Sequence, residues 1–155
     1  MRITTFLATI VAGAVLFTPI ASAQEATHPA VKARTSLMQL YASNVGQLGA
    51  MAQGKMDYNA EAAMMAANNL SLLVQLDQSA MWAQGTDSDA LAGSRARIEL
   101  WQNFPDVMEK GGALGAAVAA MKDAAGTDLA SLQAAMGTLG AACSACHKAY
   151  REPKG

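Results

Sequence analysis

The sequence has 155 residues, of which 52% are hydrophobic and 15% are charged, with a formal net charge of −1 at pH 7. This length suits a single domain, and a near-neutral chain without a basic patch argues against nucleic-acid binding. Aromatic residues make up only 5%, whereas alanine is abundant and there are 10 methionines. This composition favours closely packed helices in which flexible methionine side chains fill gaps.

The first 23 residues have the pattern of a secretory signal peptide. Arg2 gives a positive start, residues 6–20 are mostly apolar, and Ala21, Ser22 and Ala23 form a small-residue cleavage site. The apolar stretch is short for a membrane-spanning helix, so an uncleaved anchor is the less favoured alternative. We therefore expect export to the periplasm, cleavage after Ala23, and one domain formed by residues 24–155.

The first predicted helix covers residues 29–53. Pro29 suits a first-turn position, and Gly54 suits the end of a helix. One face combines apolar residues with an arginine: Arg34, Met38, Tyr41, Val45, Leu48 and Ala52. An arginine among inward-facing residues is unusual, which marks Arg34 as a candidate functional residue.

The second predicted helix, residues 60–77, follows an N-cap at Asn59. Its inward face is predicted to consist of Ala62, Met65, Asn69, Leu72 and Leu76. Residues 78–93 have the composition of a loop, the longest connection between the predicted helices. We expect Trp82 to anchor this loop to the bundle.

The third predicted helix, residues 94–124, contains Pro105, which should kink or restart it. Its inward face is predicted to comprise Ile98, Trp101, Phe104, Val107, Gly111, Leu114, Val118 and Met121. Gly111 and Gly112 lack side chains, so a neighbouring helix or a flat cofactor could approach them closely.

The fourth predicted helix begins after an N-cap at Thr127 and ends near Arg151, just before Pro153. Apolar residues recur along it at spacings of three and four: Leu129, Leu132, Met136, Leu139, Cys143, Cys146 and Tyr150. Four amphipathic helices with mostly short connections predict an all-α, antiparallel four-helix bundle.

Cys143 to His147 form Cys-x-x-Cys-His, the signature of covalent haem attachment. Thiols three residues apart lie on one helix face and can reach the two vinyl groups of one porphyrin, and the adjacent histidine can hold the iron. The alternatives are a disulfide in a haem-free bundle, a thiol redox site, which normally sits beside βαβ patterns, and a zinc site, which normally has four N or S ligands. The motif predicts one haem c, bound through Cys143 and Cys146, with His147 as iron ligand.

The sequence resembles the class II cytochromes c, which include cytochrome c′ and its low-spin relatives. Residues 143–151 are similar to the family's Cys-x-x-Cys-His-x-x-Tyr/Phe-Arg, and residues 34–38 are similar to its first-helix Arg-x-x-x-Met. Trp101 stands where the family has its third-helix tryptophan. The resemblance spans most of the mature chain, and it implies a four-helix bundle with one covalent haem, often as a homodimer.

The resemblance also implies roles for individual residues. His147 would be the axial ligand, with Arg151 near its proximal side. Arg34 would lie near the haem edge, where it can pair with a propionate. Met38, one helical turn beyond Arg34, would point at the distal face, and Trp101 would pack against the porphyrin.

Two functions are compatible with this site. In the first, which the sequence favours, Met38 ligates the iron opposite His147, and the low-spin haem carries electrons between partner proteins of a periplasmic redox chain. In the second, Met38 only occludes the distal face, and a five-coordinate iron binds NO or CO. We see no histidine or carboxylate placed for acid–base chemistry on the distal side, so we expect no enzymatic activity.

Overall fold

The computed structural model describes residues 28–153, and the predicted signal peptide with its cleavage site lies outside the described residues. Within this range the chain forms α1 (Pro29–Ala52), α2 (Ala60–Leu73), α3 (Glu99–Gln102), α4 (Phe104–Ala124) and α5 (Leu129–Tyr150), with a 3₁₀ turn at Ser79–Trp82. The four long helices pack in a ring: α1 on α2, α2 on α4, α4 on α5 and α5 on α1. The predicted all-α four-helix bundle is confirmed.

Local signals set the ends of α1 and the start of α2, as predicted. Pro29 lies in the first turn of α1, and the helix ends just before Gly54, whose φ of +67° is a left-handed conformation that glycine adopts without strain. Asn59 caps α2, because its side-chain oxygen accepts a hydrogen bond from the Ala62 N–H at 2.8 Å. α2 ends at Leu73, before the predicted residue 77.

The core of the bundle is apolar, and we call seven of its fully buried residues the apolar core: Leu48, Met51, Ala63, Leu70, Met121, Leu132 and Leu139. The predicted inward face of α2 is wrong, since Met65 and Leu72 are 56% and 66% exposed. The buried residues of α2 are Ala63, Ala66, Ala67 and Leu70. Three alanines let α2 approach its neighbours closely, whereas the prediction gave most weight to the larger side chains.

The third predicted helix begins later than expected and is interrupted. Residues 94–98 are not helical, α3 is a single turn, and the helix is interrupted at Asn103. α4 then starts with Pro105 in its first turn, which is the restart that this proline predicted. Phe104, predicted to face inward, is 49% exposed because the break turns it out of the helical register.

Residues 95–97 pair with the end of α5 instead of joining a helix. The Arg97 N–H donates to the Tyr150 carbonyl at 3.0 Å, and the Glu152 N–H donates to the Arg95 carbonyl at 2.9 Å. Hydrogen bonds between segments so distant in sequence leave no local pattern, and the sequence therefore did not indicate them.

Two smaller predictions about helix ends and contacts also need correction. The N-cap of α5 is Asp128 and not Thr127, because the Asp128 carboxylate accepts from the Ser131 N–H at 2.7 Å. Apart from its own helix backbone, a Cβ added at Gly111 or Gly112 would meet no atom of the described chain within 4 Å, so no other helix approaches these glycines closely. Close approach of the cofactor there remains a prediction.

By length and hydropathy, α5 is the one described helix that could span a membrane, a test that core helices of soluble proteins also pass. Here α5 packs against α1 and α4.

Candidate cofactor site

α5 places the Cys-x-x-Cys-His motif on the wall shared by two cavities. Cys143 lines the larger cavity, of about 640 Å³, and Cys146 lines the smaller cavity, of about 280 Å³. His147 lines both. The two cysteines are free, partly buried thiols, so the motif presents two thiols and one imidazole to a single region of the molecule.

The smaller cavity brings together most of the predicted site residues. α1 contributes Arg34 and Met38, and α5 with the residue that follows it contributes Cys146, His147 and Arg151. Much of the remaining lining is apolar or aromatic, and it includes Trp82, Ala96, Leu100, Val107 and Tyr150. Met38 and His147 therefore share one cavity although they lie on different helices, as the predicted site requires.

Trp101 does not line either cavity. It is half-buried in an apolar cluster that includes Leu100, Cys146 and Tyr150, and its indole N–H donates to the Trp82 carbonyl at 2.9 Å. The indole on the cavity wall belongs to Trp82, which the sequence predicted only as a loop anchor. Packing of Trp101 against a porphyrin remains a prediction.

The electrostatic surroundings of His147 suit a metal ligand. Burial lowers the pKa of His147, and the positive charges of Arg151 and Arg95 lower it further. The imidazole is therefore favoured in its neutral form, which is the form that binds a metal. Sequence analysis missed Arg95, which lines both cavities, because its position depends on the pairing of residues 95–97 with the end of α5.

The two thiols lack the properties of a redox site. Burial raises the pKa of both Cys143 and Cys146, whereas redox-active cysteines have a lowered pKa that favours the thiolate. The two sulfurs are also not joined in a disulfide. Two neutral thiols one helical turn apart suit addition to the vinyl groups of a porphyrin better than thiol–disulfide exchange.

Arg34 is 5% exposed, and the loop that follows α2 encloses its guanidinium. The terminal nitrogens donate to the Thr86 hydroxyl at 2.7 Å, the Ser94 hydroxyl at 2.6 Å, the Met81 carbonyl at 3.3 Å, and the Thr86 carbonyl. Burial lowers the pKa of Arg34, and the nearby charge of Asp87 opposes that shift. Because a guanidinium has five N–H donors, only Nε–H has no acceptor among residues 28–153, and pairing with a propionate remains a prediction.

A polar network holds Tyr150 on the cavity wall. The Tyr150 hydroxyl donates to the Asp106 carboxylate and accepts from the Asn103 amide at 3.1 Å. Lys110 pairs with the same carboxylate at 2.8 Å. The hydrogen bonds from Lys110 and Tyr150 lower the pKa of Asp106, so the network is fully formed when this carboxylate is ionised.

The residues present fit a covalently attached haem. The donor set consists of two thiols one helical turn apart and an adjacent imidazole that its surroundings keep neutral. A largely apolar cavity lies beside them, with a thioether and several arginines among its lining residues. Apolar walls suit a porphyrin ring, and arginines suit its carboxylates.

The family model described as Cytochrome C′ matches residues 29–151. The chain belongs to the cytochrome c′ family. Among its relatives, cytochrome c-554 of Cereibacter sphaeroides is 41% identical over 79% of this chain and 80% of its own. Cytochrome c′ of the same species is 40% identical over 84% of this chain and 87% of its own. The resemblance stated from the sequence is thereby confirmed.

Solved structures of cytochromes c′ share the fold. Cytochrome c′ from Rhodobacter Spheriodes has a TM-score of 0.79 at 38% identity, covering 81% of this chain and 96% of that one. The ferrous form of an Alcaligenes xylosoxidans variant, with bound NO, has a TM-score of 0.70 at 33% identity, covering 81% and 94%. A CO-bound variant from the same organism has a TM-score of 0.69 at 34% identity, covering 80% and 94%.

Membership of the cytochrome c′ family also decides the cofactor. Proteins of this family bind haem c covalently through two cysteines, and this chain has two cysteines in total, Cys143 and Cys146. The protein therefore binds one haem c through these residues, as the motif predicted. The disulfide, redox and zinc alternatives are set aside.

Proposed function

We propose that this protein is a periplasmic haem c protein whose iron binds a small uncharged ligand such as NO or CO. The observation that carries the proposal is the smaller cavity, which is largely apolar and includes no carboxylate among its lining residues within the described range. A mostly apolar lining of this kind favours an uncharged ligand at an iron held by His147. The related proteins with bound NO and CO support the same function.

Each residue of the site has a distinct part in this function. Cys143 and Cys146 anchor the porphyrin, and His147 holds the iron. When bound, the haem supplies an iron centre that takes a ligand and exchanges an electron. Arg151 and Arg95 help to keep the imidazole neutral, and the apolar lining disfavours water in the cavity.

Electron transfer through a six-coordinate haem is the second candidate, and it is the function favoured from the sequence. Its support is that the Met38 thioether lines the same cavity as His147, since a thioether ligand raises the haem potential. Its partners would be redox proteins of the periplasm. We place it second because the related structures with bound NO and CO are cytochromes c′ and support ligand binding at the iron.

Visible spectra of the purified holoprotein and of Met38→Leu separate the two functions. Leucine keeps most of the volume of methionine but removes the sulfur. Gas binding predicts a broad, high-spin ferrous spectrum that changes on addition of CO, with little effect of Met38→Leu on the spectrum before CO is added. Met65→Leu, at an exposed position on α2, is the matched control.

The opposite result would support the electron carrier. Sharp low-spin bands that do not respond to CO, and that become high-spin only in Met38→Leu, would establish Met38 as an iron ligand. The gas-binding proposal would then be abandoned.

We also propose that the protein forms a homodimer through α1 and α2. The Asn69 side-chain amide donates to the Asn44 side-chain carbonyl at 2.9 Å, which joins the outer faces of the two helices. Leu40, Met65 and Leu72 lie within one helical turn of this pair and are 52%, 56% and 66% exposed. Sedimentation velocity would test this face, since Leu72→Glu should yield monomers and a dimer that persists in this variant would refute it.

A further inference from the structure

One part of the wall of the smaller cavity is formed by the loop that connects α2 with α3. Residues Trp82, Gly93, Arg95 and Ala96 of this connection all line the cavity. Apart from the 3₁₀ turn at Ser79–Trp82, this connection contains no helix that would fix its position, so its placement depends on contacts with the rest of the molecule. The shape of the cavity therefore depends on what holds this loop.

Arg34 holds the loop from α1 at several separate points. Its guanidinium bonds to the Met81 carbonyl, to both oxygens of Thr86 and to the Ser94 hydroxyl. The loop also bonds to itself around this charge: the Thr86 hydroxyl donates to the Ala83 carbonyl at 2.6 Å, and the Ser94 hydroxyl donates to the Thr86 carbonyl at 2.8 Å. One side chain thus fixes the loop near both of its ends.

Two indole rings enclose the same guanidinium. The Arg34 Cζ lies 5.5 Å from the Trp82 ring centroid and 5.9 Å from that of Trp101. Cation–π contacts are stronger when the cation is buried, as it is here. The planar fork of arginine can bond in its plane while indole rings lie against its faces, which the ammonium of lysine cannot do. We call Arg34, Trp82, Thr86, Asp87, Ser94 and Trp101 the Arg34 cluster.

The loop is also joined to the helix that carries the haem. Immediately after Ser94, residues 95–97 pair with the end of α5, and an antiparallel bridge links Ala96 with Arg151. The loop therefore connects α1, at Arg34, with α5, just beyond His147. Met38 lies one helical turn beyond Arg34 on α1.

We infer that Arg34 is a positioning residue for the haem cavity, acting through the loop and not through a haem carboxylate. By tying α1 to the loop, it sets the separation between the cavity wall that carries Met38 and the wall that carries His147. This separation governs how readily a small ligand enters the cavity. The consequence for ligand entry rests on the proposed gas-binding function, whereas the attachment of the loop to α1 through Arg34 does not.

The test uses the holoprotein with two kinds of variant. The double variant Thr86→Val/Ser94→Ala removes two hydroxyl acceptors in the loop and leaves the Arg34 charge in place. Arg34→Lys keeps the positive charge but loses the planar guanidinium with its several N–H donors. Lys122→Arg is the matched control, because Lys122 is exposed in the last turn of α4 and lines neither cavity. Two quantities are measured: the solvent exchange rate of the Trp101 indole N–H by NMR, and the rate constant of CO association.

Both cluster variants should exchange the indole proton faster and bind CO faster, by a factor on the order of five, and the control should match the wild type. Wild-type behaviour of Thr86→Val/Ser94→Ala in both measurements, with a change only in Arg34→Lys, would overturn the inference and assign Arg34 to a haem carboxylate. If Arg34→Lys does not fold, the loop variant alone decides. If no variant binds CO, the proposed function fails, and indole exchange still decides whether the tie exists.

Discussion

The apolar core and the Arg34 cluster are held together by different kinds of contact. The apolar core consists of leucine, methionine and alanine side chains from all four long helices. Among the described residues, the buried polar and charged side chains are Arg34, Thr86, Asp87 and Ser94, and all four belong to the Arg34 cluster. The molecule thus concentrates its buried polarity beside the smaller cavity.

The difference follows from what each kind of contact can specify. Burial of apolar surface is non-directional, so it stabilises the bundle but tolerates small shifts between helices. Hydrogen bonds weaken steeply when their geometry changes, and a buried donor without a partner is costly. The directional contacts therefore lie where a cavity must keep one shape, and the non-directional ones lie where only cohesion is needed.

The largest effect should come from the motif beside the cavity. Changing both Cys143 and Cys146 to Ala removes the sulfur atoms that anchor the porphyrin, so covalently bound haem should be lost entirely. Haem staining after denaturing electrophoresis measures this directly. Ser144→Ala, a change within the motif that spares both thiols, should keep full staining, and equal staining of the double variant would contradict the assignment.

The next largest effect should come from a substitution in the apolar core, compared with the same substitution on the surface. Leu139 is fully buried on α5, and Leu139→Ala should lower the free energy of unfolding by about 3 kcal/mol through lost burial and the cavity left behind. Leu72→Ala makes the same chemical change at a side chain that is 66% exposed, and it should change this free energy by less than about 0.5 kcal/mol in the monomer. Denaturant unfolding measures the free energy of unfolding of both variants. Equal losses would show that Leu72 is buried and that the described orientation of α2 is wrong.

A smaller loss is expected at the start of α2. Asn59→Ala removes the side-chain acceptor of the Ala62 N–H and should lower the free energy of unfolding by about 1 kcal/mol. Asn59→Ser, which can still accept this hydrogen bond, should restore most of the stability. Equal melting temperatures for Asn59→Ser and Asn59→Ala would contradict a stabilising role of this hydrogen bond.

Tyr41 carries a polar hydroxyl into the otherwise apolar interior around the apolar core. Its hydroxyl is buried and makes no hydrogen bond of normal geometry within the described chain. Burial raises the pKa of Tyr41, and the nearby Gln78 side chain opposes that shift. Tyr41→Phe should therefore raise the free energy of unfolding by up to about 1 kcal/mol, because no buried donor is then left unpaired. A loss of stability in this variant would indicate that the hydroxyl has a partner in the holoprotein.

The smallest effect is expected from pH at the Asp106 network. Hydrogen bonds from Lys110 and Tyr150 lower the pKa of Asp106 in the folded protein. The stabilisation is therefore present above the pKa that Asp106 has in the unfolded chain, and it is lost as the pH falls through the lower, folded value. Asp106→Asn should lose less stability than the wild type on acidification, and parallel pH curves would argue against the network.

The sequence predicted the features that local patterns encode. Pro29, Gly54 and Asn59 mark helix ends through backbone preferences that act within a few residues, and the Cys-x-x-Cys-His spacing identifies the cofactor. Arg34 was singled out because it lies on the inward face of the first helix, and Met38 because residues 34–38 resemble the family's Arg-x-x-x-Met. Both residues line the smaller cavity.

What the sequence did not predict depends on contacts between distant segments. The inward face of α2 was misassigned because packing selected small alanines such as Ala66 over Met65. Arg95 reaches both cavities only because its segment pairs with the end of α5. Similarly, the hydrogen-bond partners of Arg34 follow it by about fifty residues, and no spacing rule links a helix to a loop so far along the chain.

The pair of indoles around Arg34 has an optical consequence. The chain contains two tryptophans, and both belong to the Arg34 cluster beside the haem cavity. A haem is a strong acceptor of excitation energy from nearby indoles, so the holoprotein should emit almost no tryptophan fluorescence. Any emission would then report protein without haem, which gives this protein an intrinsic fluorescent probe of haem loading.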